Sequence, residues 1–160
     1  MPKSTPHGLV TYAREFRDAA LAADDKLGHR PGFEEAAPIP VMYLIGHSIE
    51  LSLKAVLCHH GLDDRQLRMI GHDLHKAMRK CKEIGFRPAL EADREEQEVL
   101  EILNVLYKSK QLNYSEVGMK EYPVFGYLET LSKKLLVGAA EATDYPVGLQ
   151  RVLRQGSGRR

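Results

Sequence analysis

Residues 41–58 read VMYLIGHSIELSLKAVLC. Set around a helical wheel at about 100° per residue, they leave one narrow polar edge made by Tyr43, His47, Glu50 and Lys54. Every other position in the run is apolar or small. A surface helix is apolar over only part of its circumference, so this pattern predicts a central helix wrapped by others on most sides. The polar edge must then stay wet or be filled by partners from neighbouring helices.

The flanking chain repeats the helical period. Leu9, Tyr12, Ala13, Phe16, Ala20, Ala23 and Leu27 predict a first helix that stops at Gly28, with Arg17 and Asp24 on its polar side. Pro31, Gly32, Pro38 and Pro40 make 28–40 an irregular connection. After Gly61, Leu67 and Ile70 suggest a short helical turn. Leu74, Ala77, Met78, Cys81 and Ile84 then form the inner face of a third helix closed by Gly85. Residues 87–93 read as a link. A fourth helix follows with Val99, Ile102, Leu103, Leu106 and Tyr107 inward, a face that extends geometrically to Lys110 and Tyr114. Lys110 would then point toward the core and need a partner or a path to water. A last long helix starts near Pro123 or Val124. No stretch reads as a strand, so the expected fold is an all-α, up-and-down bundle of about five helices. The bundle would occupy residues 1–145, and 146–160 would be a partly flexible tail.

Composition narrows the partners. In 160 residues, 23 basic and 22 acidic side chains leave a net charge of +1, so no global field draws the chain to nucleic acid or membrane. Local patches remain: Lys76, Arg79 and Lys80 load one helix with positive charge and are candidate phosphate contacts. Cys58 and Cys81 read as reduced thiols in a cytoplasmic protein, and charges interrupting the apolar run argue against a membrane span. Neither Cys58-His59-His60 nor His72-x2-His75 has the spacing of a helical metal site, so neither a metal nor another cofactor is expected.

Three segments in order, GHSIELSLKAVLCHHGL, GHDLHKAMRKC and LNVLYKSKQLNY, resemble the HEPN superfamily of small prokaryotic helical bundles. The matching positions are Glu50, Lys54 and Leu57; His72, Asp73 and Leu74; and Leu103, Tyr107, Lys108, Lys110 and Tyr114. The resemblance spans about half of the chain. It implies a helical bundle that pairs into a homodimer, in a family holding both ribonucleases of defence and toxin–antitoxin systems and non-catalytic members that bind RNA or nucleotide. Its catalytic members carry Arg and His separated by four to six residues on a later helix; here six residues separate Arg65 from His72, but the pair precedes the third helix.

The expected function is therefore a non-catalytic, nucleic-acid- or nucleotide-associated module with an antitoxin or operon partner. The alternatives are a metal-independent endoribonuclease using Arg65 and His72, and an interaction scaffold whose polar stripe is structural. Ligand-groove candidates are Tyr43, His47, Glu50, Lys54, Asp73, Tyr107, Lys108, Lys110 and Tyr114. Glu50 could pair with Lys54 one turn on or with Lys110, or could orient His47 as an acid/base group. Asp73 could simply cap the third helix.

Overall fold

The computed structural model describes residues 3–115 and 118–146. Over that span the chain is all-α, with seven helices rather than about five: α1 (Pro6–Leu27), α2 (Ile39–His59), α3 (Asp64–Ile70), α4 (Leu74–Glu83), α5 (Arg87–Leu90), α6 (Arg94–Lys108) and α7 (Phe125–Ala142). The two additions are short. The turn expected around Leu67 and Ile70 is α3, and the link at 87–93 contains the single turn α5. The tail from residue 147 on lies outside the described residues.

α2 is the axis. It packs most extensively on α1, then on α7, α4 and α6. By length and apolar character it could cross a membrane, yet 72% of its most apolar window is buried inside the protein. Small residues bring α1 and α2 together: Ser48 is fully buried and donates its hydroxyl to the Ala13 carbonyl at 2.7 Å. This bond satisfies a buried polar group and ties the two helices at the same point.

Sequence chemistry sets the helix ends. Thr5 caps α1 with Pro6 at its first position, Asp63 and Asp93 form reciprocal capping boxes with Gln66 and Glu96, and Asp73 caps α4 by accepting from the Lys76 amide. Each cap supplies an acceptor to an otherwise orphaned N–H.

Two expected faces need correction. On α1 the buried stripe is Val10, Ala13, Arg17, Ala20 and Asp24, while Tyr12 is 59% exposed. The seam turns inward onto Arg17 because Ser132 and Glu129 on α7 receive its guanidinium there. Ile102 is only half-buried on α6. Lys110 does not continue that helix's inner face. α6 ends at Lys108, and Lys110 adopts φ 61°, which swings its side chain into solvent. Tyr114, carried beyond the same turn, is 68% exposed.

Candidate functional site

The polar edge of α2 is neither simply wet nor simply closed. Glu50 is only 3% exposed, and its carboxylate gathers donors from three directions. Lys54, one turn along the same helix, donates to Oε1 at 2.5 Å. The Tyr107 hydroxyl from α6 donates to Oε2 at 2.6 Å, and His72 Nδ1 from the α3–α4 junction lies 3.0 Å from the same oxygen. His47 Nδ1 stands 2.9 Å from the Tyr107 oxygen and 3.6 Å from Oε2. Burial would raise the Glu50 pKa, but the bonds from His47, His72, Lys54 and Tyr107 outweigh it and hold the carboxyl well below its usual range. Burial and the neighbouring Glu50 charge push the Tyr107 phenol far up, so it stays a donor.

These charges settle the proton positions. An ionised carboxylate only accepts, so His72 must carry a hydrogen on Nδ1. Tyr107 spends its single hydrogen on Glu50, so His47 Nδ1 must donate to the phenol oxygen. In its neutral form His72 therefore turns the Nε2 lone pair outward.

The network also pins the chain between α3 and α4. Lys54 donates to the Gly71 carbonyl at 2.8 Å, His72 binds Glu50, and Asp73 accepts from Asn104 at 3.1 Å and from Lys108 at 3.1 Å. Asn104 Oδ1 in turn accepts from the Leu74 amide at 2.8 Å. Burial works against ionising Asp73, but the Lys76 amide, Lys108 and Asn104 together hold its pKa below the ordinary value. Close packing of α6 on α2 depends on Gly46, where a Cβ would lie 2.9 Å from the Tyr107 ring.

Outward from Glu50 the network opens to solvent. The His72 side chain is 56% exposed, and with Tyr43, Tyr107, Lys110 and Asn113 it lines a small pit of about 40 Å3. His72 meets the Tyr107 ring edge-on, with centroids 5.8 Å apart.

Several expected site residues thus converge: His47, Lys54, His72 and Tyr107 around the Glu50 carboxylate, with Tyr43 and Lys110 at the pit beside it. Glu50 pairs with Lys54 and not with Lys110, and its closer imidazole is His72 rather than His47. Others lie apart. Arg65 is exposed on α3, about 200° around the helix from the buried Leu67, makes no hydrogen bond to His72 and does not line the pit. Lys108 is engaged by Asp73, Lys76 by the Met69 carbonyl at 3.0 Å, and Arg79 faces Glu83 at 3.9 Å. Among the described residues no group of three or more His, Cys, Asp and Glu side chains is placed to hold a metal ion. Asn104 and Asn113 were missed. Asn104 falls on the inner face of α6 among leucines, a buried-amide signal the sequence does offer. Asn113 has no such signal, because only the turn after α6 brings it to the pit.

The chain matches no family model, no curated protein and no solved structure.

Proposed function

We propose that the protein is a non-catalytic, RNA-associated, HEPN-like module, cytoplasmic and homodimeric, working with an antitoxin or other operon partner in a defence or toxin–antitoxin system. Its ligand contact is the pit around His72. The observation that carries this reading is an exposed imidazole, oriented by a buried carboxylate and ringed by Lys110, Asn113, Tyr43 and Tyr107. A cation for phosphate, an amide for a base edge and the exposed Tyr43 ring for stacking are groups that single-stranded RNA requires.

The test is fluorescence anisotropy with a labelled single-stranded RNA over a range of salt. Affinity should fall steeply with salt and drop about tenfold in Lys110→Ala or Tyr43→Ala. Neutralising Lys76 and Arg79 should matter less, since neither lines the pit and Lys76 already donates to the Met69 carbonyl. RNA affinity that is absent, or indifferent to salt and to both pit variants, removes the reading.

One observation favours a second reading, a metal-independent endoribonuclease. Glu50 presents the His72 Nε2 lone pair to solvent, as a general base needs. Arg65 does not line the pit, so the phosphate-stabilising half of the expected pair is not among its walls within one chain. Cleavage of the same RNA by wild type, abolished in His72→Ala, would replace the binding reading with this one.

A further inference from the structure

Four helices end with the same pair of backbone bonds, the arrangement in which the residue past the cap turns left-handed. At α2 the Leu62 amide bonds the Leu57 carbonyl, at α4 Phe86 bonds Cys81, at α6 Gln111 bonds Leu106, and at α7 Tyr145 bonds Ala140. The left-handed positions are Gly61 (φ 97°), Gly85 (φ 78°), Lys110 (φ 61°) and Asp144 (φ 54°). Glycine adopts this conformation freely and aspartate tolerates it, whereas a long unbranched side chain is disfavoured there. The disfavoured residue stands at the one such end that borders the pit. Its ammonium meets no acceptor among the described residues. Backbone strain beside a cavity points to function rather than to fold.

Across the pit, the hydrogen-bond polarity of His72 is already set. Its Nδ1–H is spent on Glu50, so the neutral ring offers an outward lone pair that repels an anionic oxygen. Only the imidazolium can donate there.

We propose that the pit is a proton-linked phosphomonoester site, in which a terminal phosphoryl group sits between the Lys110 ammonium and His72 Nε2, and His72 takes up a proton from solvent as the anion binds. The assignment rests on reading the pit as the ligand site and deepens it. A pit of about 40 Å3 suits one small polar group such as a phosphoryl, with an adjoining base left at its rim beside Tyr43. Two cations match the two negative charges of a monoester, where an internal diester carries one. The groups facing His72 fit this balance: Glu50 and Tyr43 from α2, Tyr107 from α6, and Lys110 and Asn113 from the turn beyond it. The Glu50 anion stabilises the imidazolium that forms, while Lys54 and His47 keep that carboxylate ionised. Adjacent Asp73 is already engaged by Lys108, Asn104 and the Lys76 amide.

Calorimetric titration with adenosine 5′-monophosphate, and with 5′-phosphorylated and hydroxyl-ended forms of one oligoribonucleotide, tests the assignment. From about pH 7 to about pH 9 the monoester stays dianionic and lysine stays charged, so a pH slope reports the imidazole. Comparison of buffers with different ionisation enthalpies should show net proton uptake on binding, with affinity several-fold lower at about pH 9 than at about pH 7. The phosphorylated end should bind at least about tenfold tighter than the hydroxyl end. His72→Gln should erase the slope. Lys110→Gly should weaken binding about tenfold while raising the thermal midpoint, which separates lost recognition from lost folding. Equal, pH-independent binding of both ends, or unchanged binding by Lys110→Gly, overturns the site and leaves RNA association standing. Proton-linked binding of the monophosphate with no affinity for either RNA supports the site and overturns RNA association.

Discussion

Glu50 and Glu129 are each 3% exposed, and each faces a cation, yet they serve different ends. Glu129 lies on α7 with its Oε1 3.8 Å from Arg17 Nη2, and both side chains are 4% exposed. Arg17 Nε donates to Ser132, whose own hydroxyl donates to the Glu129 carbonyl. That cluster folds back on itself, and burial lowers the Arg17 pKa despite the pull of Glu129 and Asp18. Around Glu50 the donors instead step outward, from Lys54 at 12% side-chain exposure through His47 at 25% to His72 at 56%. A closed ion pair joins two helices. An open one orients a surface group, and the gradient of exposure, not the presence of a buried acid, separates a staple from a site.

The contrast breaks most sharply at the closed pair. Arg17→Ala removes the cation facing Glu129 in a fully desolvated place. It should cost about 3–5 kcal/mol in urea unfolding while leaving the proposed RNA binding of the folded fraction unchanged. Glu50→Gln keeps the shape and removes the charge; we expect a loss of about 2–4 kcal/mol at neutral pH together with a loss of ligand affinity. The same variant carries a pH signature. Folding lowers the Glu50 pKa, so its contribution is fully present above the ordinary value of 4.5 and is lost as pH falls toward the folded value. Wild-type stability should therefore drop below that pH more steeply than that of Glu50→Gln; parallel acid limbs would mean that Glu50 is not held ionised. Tyr107→Phe, the mildest change, deletes one hydroxyl shared by Glu50 and His47. It should cost about 1.5–3 kcal/mol by thermal or urea unfolding, and a smaller loss would place the hold on Glu50 mainly with Lys54 and His72.

Much of the fold was legible because it depends on local periodicity. The central position of α2, the inner faces of α3 and α4, and the caps at Asp73 and Gly28 all follow from residues close in sequence. Lys110 misled the reading for a physical reason. Extending a helical wheel assumes that the helix continues, and the left-handed turn after Lys108 ends it without the glycine that usually marks such a stop. Arg17 misled it differently. A charged residue at a seam position reads as solvated until the acid and the serine across the interface are known.

What the sequence determined by itself is therefore an all-α chain built on one apolar helix with a polar edge, since hydrophobic period and capping act within a few residues. Which donor meets Glu50, which imidazole faces solvent with a fixed lone pair, and where the Lys110 ammonium stands were decided only by tertiary structure. Those contacts join residues 22 and 57 positions apart, Glu50 to His72 and Glu50 to Tyr107. Their geometry comes from how α2, α6 and the α3–α4 junction dock, and no local rule carries that information.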